Sequence, residues 1–209
     1  MLTLYGHPKS INVRKVLWLC AELDLEYVRE DRGGYGQFGS VDAPEFRALN
    51  PVGMIPVIDD GGVIVWESNT ILRYLAVKAG RTDLLPADPA GRARIEQWMD
   101  WQASDFNNTW RACFMGLVRQ NPAFSAEAIA TSLQQFNAAV GIVDTQLARN
   151  GGYIAGDSFT LADIPIGLAV HRWHAVPMTE RPGYSHVAAY YDRLNERPGY
   201  RAHGRNGIP

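Results

Sequence analysis

The sequence holds only two cysteines, Cys20 and Cys113, far apart and outside any Cys-x-x-Cys. That excludes a disulfide-stapled scaffold, a thiolate zinc site and a protein dithiol as redox centre. Two reduced packing thiols in a cytoplasmic protein are expected instead. An uninterrupted apolar run of about 18 residues is missing too, so no membrane span is expected. No basic segment followed by an apolar stretch precedes the first strand, so no leader peptide is expected. Excess charge is absent as well. A formal net charge of -2 and an isoelectric point near 6.2 give no electrostatic reason for nucleic acid or an anionic membrane as partner. What is present is ordinary globular material. With 46% hydrophobic and 20% charged residues, a chain of 209 can build two small domains, each with a core.

The first eighty residues alternate short strands and helices. Leu2–Tyr5, Leu25–Val28, Pro56–Ile58 and Val63–Trp66 read as strands, the last two joined by the turn Asp59-Asp60-Gly61-Gly62. Between Ile11 and Leu23, the positions Val13, Val16, Leu17 and Cys20 mark one face of a helix. Glu45–Leu49 is a short helix stopped by Asn50-Pro51, and Glu67–Ala79 is amphipathic, ending at Gly80. The order β-α-β-α-β-β-α fits a thioredoxin-like α/β domain at residues 1–80. A proline-rich linker, 81–89, follows. Strand signals nearly vanish beyond it, so 90–209 is expected to be an all-α bundle. Arg92–Leu117, Ala126–Leu147 and His186–Asn195 read as helices there, the last ending before Pro198. Thr160-Leu-Ala-Asp163 has the form of a capping box, with Phe159 and Ile164 as its hydrophobic staple.

Residues 34–39 read GYGQFG, a G-x-G-x-x-G with Asp59 twenty positions beyond Gly39. A dinucleotide site also needs a long helix after the glycines, to present its N-terminus to a pyrophosphate. Ser40–Pro44 and a helix of hardly more than a turn follow instead. The match is accidental.

The first βα turn, His7 to Lys15, puts Ser10 and Asn12 at a helix N-terminus, where free amides favour an anion. A redox thioredoxin fold would carry Cys-x-x-Cys here, so sulfur chemistry would need a thiol from outside. Ser10 as a plain N-cap and Arg14 as a surface residue are the bland readings; Arg14 adding positive potential to a thiolate is the functional one. In Asn50–Pro56, a cis Ile55-Pro56 bond would turn the Ile55 amide and carbonyl outward, toward an extended peptide. At Trp66-Glu67-Ser68-Asn69, Ser68 and nearby amides could hold a carboxylate and Glu67 an ammonium, or the pair could simply cap a helix. Together these sites ask for a thiol, a peptide backbone, and an adjacent ammonium and carboxylate. Glutathione has that description.

Three blocks then carry a resemblance over nearly the whole chain: Ser10–Val16, Asn50–Val57 with Glu67–Leu75, and Phe159–Ile164. In these the sequence resembles the cytosolic glutathione S-transferase superfamily, and most of all its bacterial serine-type, theta- and nu-like members. Tyr5 lies inside the first strand, where similar sequences carry a noncatalytic tyrosine, and Ser10 stands where omega- and beta-type relatives have a cysteine. The resemblance implies an enzyme that binds glutathione, stabilises its thiolate and directs it at a hydrophobic electrophile. Catalysis would fall to Ser10 or Asn12, and glutathione binding to Gln37, Phe38, Met54, Ile55, Glu67 and Ser68. Glutathione would be a co-substrate, with no cofactor and no metal.

An electrophile pocket is expected from Trp110, Arg111, Met115 and Trp173, residues whose Met-and-aromatic pattern also suits a core. His171 and His174 lie three apart on a helix, without further ligands for a metal. A homodimer is implied, with Arg73, Asp100 and Gln102 as contributors. Two alternatives stay open: a glutathione-dependent peroxidase or disulfide reductase, and a noncatalytic glutathione-binding or assembly module on the same fold.

Overall fold

The computed structural model describes residues 1–209. They divide into two compact units, Met1–Leu85 with Pro198–Ile208, and Pro86–Arg197 with Pro209. No helix is long and apolar enough to cross a membrane.

The first unit is thioredoxin-like. Strand β1 (Leu2–Tyr5) runs parallel to β2 (Tyr27–Glu30) and antiparallel to β3 (Val57–Asp60), which turns into β4 (Val63–Trp66). The sheet order is β2-β1-β3-β4. Leu4 pairs with Ile58, and both are fully buried. Strand β2 begins two residues later than the sequence suggests. Helix α1 (Ile11–Glu22) ends with Asp24 in the left-handed region at φ 52, and Leu25 N–H returns to the Cys20 carbonyl at 2.9 Å. Leu25 thus closes the helix before any strand can start.

Helix α1 is more deeply buried than one apolar stripe requires. Every residue from Val13 to Cys20 is buried, Arg14 and Lys15 included. Its nominally polar side is covered by α10 (Pro198–His203), where Tyr200 packs against Trp18 at 4.7 Å between ring centroids. The Arg14 guanidinium donates to the carbonyls of His203, Gly204 and Ile208 at 2.7 to 2.8 Å. Arg14 is therefore a clamp for the C-terminal segment and not a surface residue. Helix α10 hides in the sequence because Pro198 reads as a terminator, whereas proline is well suited to a helix's first turn. The segment 198–208 belongs with the first unit, a return that the expected 90–209 boundary did not contain.

Helix α2 (Pro44–Leu49) places Phe46 against Tyr5, and α3 (Ser68–Lys78) packs along α1. Gly6, at φ 147, lies where β1 ends and α1 begins; a Cβ there would come within 2.5 Å of Val13. No other residue allows that approach.

The second unit is all-helical. Asp88 Oδ1 caps α4 (Pro89–Trp101) by accepting Gly91 N–H at 2.7 Å. The single helix expected over 92–117 is broken into π-helical turns at 102–106 and 114–118, with the short helices α5 (Asn107–Thr109) and α6 (Arg111–Cys113) between them. At the break, Ser132 Oγ donates to Thr109 carbonyl at 2.5 Å and accepts from Cys113 N–H at 3.1 Å. Those two groups would bond each other in a regular helix, so the inserted hydroxyl explains the interruption.

Ser132 belongs to α7 (Ala126–Asn150), which is capped by Ser125 and ends at Gly151. Helix α8 (Asp163–Ala175) is buried from Asp163 to Trp173, and α9 (Ser185–Leu194) covers it. The Asp163 carboxylate accepts from Thr160 N–H at 2.8 Å, Ile154 N–H at 2.9 Å and Tyr190 hydroxyl at 3.0 Å. The Thr160 hydroxyl also donates to Asp163, where the sequence suggests that it caps an amide.

Candidate active site

Two helix N-termini of the first unit, those of α1 and α3, form the frame. Ser10 is the N-cap residue of α1, and its carbonyl accepts the Arg14 amide. Its hydroxyl makes no capping bond and remains available to a ligand. From α3, the Ser68 hydroxyl donates to Asn12 Oδ1 in a long contact of 3.5 Å. Lys15, three residues beyond Asn12 on α1, brings its buried ammonium to 3.4 Å from both Ser68 Oγ and Asn69 Oδ1. The sulfur-end and carboxylate-end candidates are thus joined through Asn12, Ser68 and Lys15.

Glu67 precedes α3 with φ 68 and ψ 114, a left-handed conformation that costs a non-glycine residue about 1–3 kcal/mol. Its side chain is exposed and caps nothing, so it points its charge outward beside Ser68. The Ile55-Pro56 bond is cis. Buried Asn50 shapes this loop, donating to Met54 carbonyl at 2.8 Å and accepting Val52 N–H at 3.0 Å. Met54 therefore has its carbonyl engaged, while Ile55 keeps both amide and carbonyl without an intrachain partner.

The glycine-rich loop folds into a tight turn, with Gly33 N–H bonded to Gly39 carbonyl and Phe38 N–H to Gly33 carbonyl. The Phe38 ring stacks on His7, centroids 4.6 Å apart, with Lys9 Nζ 5.7 Å from the ring centre. Gly34, at φ 64, is required there, since a Cβ would meet the Phe38 ring at 2.7 Å. This brings Phe38 to the turn that carries Ser10, and leaves Gln37 exposed. The six-residue α2 is the next helix, too short to serve a pyrophosphate.

Neither cysteine competes as nucleophile, and Tyr5 does not serve as proton acceptor. Burial pushes the Cys20 thiol up to about 12, and burial also raises Cys113. The Tyr5 phenol is likewise raised, by burial first and then by the Glu30 and Asp59 charges, the opposite of what a proton acceptor for a thiol needs.

In the second unit the expected pocket residues part company. Trp110 sits at the helix break, bonded to Asn107 and stacked beneath the Arg172 guanidinium at 4.1 Å. Arg111 is exposed and lines a cleft of about 440 Å³ with Phe124, Ser125 and Glu127. Met115 is half-buried in the second π-helical turn. Trp173 is a core residue, 2% exposed, with its indole bonded to Asn137. Because α8 is buried along its length, Trp173 offers little surface to an electrophile. His171 bonds Tyr191 at 2.9 Å, and His174 stacks on the same ring. Of the positions expected at a dimer face, Asp100 is exposed, Arg73 half-buried and Gln102 buried.

Sequence reasoning passed over Lys15, Asn50 and Asn69. The signal for Lys15 was its i, i+3 spacing from Asn12, which places both on one side of α1.

Comparison with known proteins shows the family. Residues 1–77 match the family model for the glutathione S-transferase N-terminal domain, and 126–193 the C-terminal one. The chain is 37% identical over 204 residues to glutathione S-transferase GstB of Escherichia coli, covering 96% of each. It is also 37% identical over 210 residues to glutathione S-transferase 3 of Zea mays, covering 95% of this chain and 91% of that one. The solved structure of a theta class glutathione S-transferase from Xanthomonas axonopodis pv. citri, with glutathione bound, superposes at a TM-score of 0.91. Its identity is 38%, over 100% of this chain and 99% of the other. With the thioredoxin-like unit, the helical unit and the frame around Ser10 in place, the chain belongs to the glutathione S-transferase family.

Proposed function

We propose that the protein conjugates glutathione to small hydrophobic electrophiles, with Ser10 as the hydrogen-bond donor to the sulfur. The observation that carries this assignment is the uncommitted Ser10 hydroxyl at the N-terminus of α1. Asn12, whose Oδ1 faces Ser68, would add its amide N–H groups from the side. Ile55 would pair with the cysteinyl backbone, Ser68 and the α3 amides would hold the γ-glutamyl carboxylate, and Glu67 its ammonium. Gln37 and Phe38 would meet the glycyl end.

The energetics suffice without a general base. A free thiol has a pKa of about 8.5, and lowering it by two units needs about 2.7 kcal/mol. One hydrogen bond to a charged group contributes about 1.5–3 kcal/mol, and a helix N-terminus about 0.3–1 kcal/mol. The proton leaves to solvent, and the thiolate attacks the electrophilic carbon. The C–S bond forms as a leaving group departs with its bonding pair, or, at an activated alkene, as the π pair shifts to the next carbon, which takes a proton from solvent. Trp110, Arg111 and Met115 are the residues we assign to the electrophile. A cytoplasmic homodimer active in detoxification completes the proposal. The exposed Val63, Trp66 and Val77 of the first unit supply apolar surface for a dimer, and sedimentation at twice 23.2 kDa would test it.

The deciding experiment is a pH titration of thiolate absorbance with glutathione bound, for wild type, Ser10→Ala and Asn12→Ala. The expected result is ionisation well below pH 8.5 in wild type, with the shift lost in Ser10→Ala. Loss in Asn12→Ala alone would move the role to Asn12. Binding without ionisation would overturn the conjugating reading.

A further inference from the structure

We propose that Lys15 is the positioning residue that makes the α3 end of the site selective for an α-carboxylate. The inference rests on the glutathione reading and deepens it. Lys15 is 3% exposed, on a helix buried from Val13 to Cys20, and its ammonium lies 3.4 Å from Ser68 Oγ and Asn69 Oδ1. Both acceptors belong to the first turn of α3, where the leading backbone N–H groups have no intrahelical partner.

The arrangement has a direction. With Ser68 Oγ accepting from Lys15, the Ser68 hydrogen must point away from the ammonium, toward Asn12 or a ligand oxygen. A carboxylate docked at this turn would receive that hydroxyl and the free amides, with a full positive charge one side chain behind them. At a separation of about 6 Å in a partly buried site, such a charge changes affinity by about ten- to hundredfold. A ligand lacking the carboxylate gains nothing from it. Lys15 thus selects the amino-acid end of the tripeptide without touching it, and Asn69 fixes the ammonium from the far side.

The test compares binding of glutathione with that of γ-aminobutyryl-cysteinylglycine, the same tripeptide with hydrogen in place of the γ-glutamyl α-carboxylate. Wild type is expected to prefer glutathione, and Lys15→Met to reduce that preference at least tenfold, through weaker glutathione binding alone. Lys15→Arg should restore part of it. Lys15→Gln, neutral but able to hydrogen bond, gives a second variant should the Met variant fail to fold, and should lose the preference as well. Equal weakening of both ligands would show a structural role and overturn the proposal, as would an unchanged preference or one retained in Lys15→Gln. Wild type binding neither tripeptide would overturn the glutathione reading itself.

Discussion

The imidazole of His7 and the ring of Phe38 lie nearly parallel, 20° apart, with centroids 4.6 Å from each other. Through this stack the glycine-rich loop is fastened to the turn before Ser10. Phe38→Ala would remove that stack and leave the loop held by its own backbone bonds and by the packing of Gly33 against Ile55 and His7. KM for glutathione should rise roughly three- to tenfold with kcat nearly unchanged, the signature of lost uniform binding. A fall in kcat with unaltered KM would show that the loop acts on the sulfur end instead.

Asp163 gives a pH prediction. Burial pushes its carboxyl up to about 6, against the donors from Ile154, Thr160 and Tyr190. The folded state therefore binds the proton more tightly than the unfolded chain, whose value is about 3.9. Stability from this group is greatest below pH 4 and is lost as pH rises through 6, by on the order of 3 kcal/mol. Asp163→Asn sets an amide donor against existing donors and should cost about 2–4 kcal/mol. The advantage of wild type over this variant should widen from pH 7 to pH 4.5 in denaturant titrations. A narrowing gap would mean that the folded state prefers the carboxylate.

Arg14→Met removes three charge-assisted bonds and should destabilise the C-terminal segment by about 3 kcal/mol or more. Amide exchange over 198–208 should accelerate, while the pKa of bound thiol should stay within a few tenths of wild type. His203 is held below the ordinary imidazole value by burial first, then by the charges of Arg14 and Arg29. The segment should accordingly be firmest above about pH 6.5 and loosen as pH falls. Unchanged exchange in the variant would count against the clamp.

The two cysteines should be inert. With its thiol near 12, Cys20 carries almost no thiolate at pH 8, and buried Cys113 is raised too. Iodoacetamide should label neither in the native protein within an hour and both after unfolding. Cys113→Ala should retain its turnover; loss of turnover in a folded variant would implicate a protein thiol.

What was legible in the sequence is what local rules determine. The glycine pair Gly61-Gly62, both with positive φ, announces the β3–β4 hairpin, and Asn50-Pro51 ends α2 as read. Ser10, Asn12 and the Glu67-Ser68 pair stand at helix starts, where side-chain chemistry and position coincide. Tertiary effects were less visible. Nothing local says that Arg14 will meet residues nearly two hundred positions away, or that Ser132 will interrupt another helix. Lys15 was hidden by its charge, because a lysine on the polar side of an amphipathic pattern reads as solvated. Trp173 was misplaced for the converse reason: an aromatic suits a pocket wall and a core equally well.

The union of Arg14 with the Gly204 and Ile208 carbonyls also imposes a timetable. During synthesis α1 is made nearly two hundred residues ahead of the partners that cover Arg14 and Trp18. At about 5–20 residues per second, the interval is on the order of ten seconds or more. Throughout it the helix that carries Ser10 exposes apolar and cationic surface destined for burial. The thioredoxin-like unit is therefore finished only after the whole helical unit has been made, and ribosome-bound chains stopped before residue 198 should remain unable to bind glutathione.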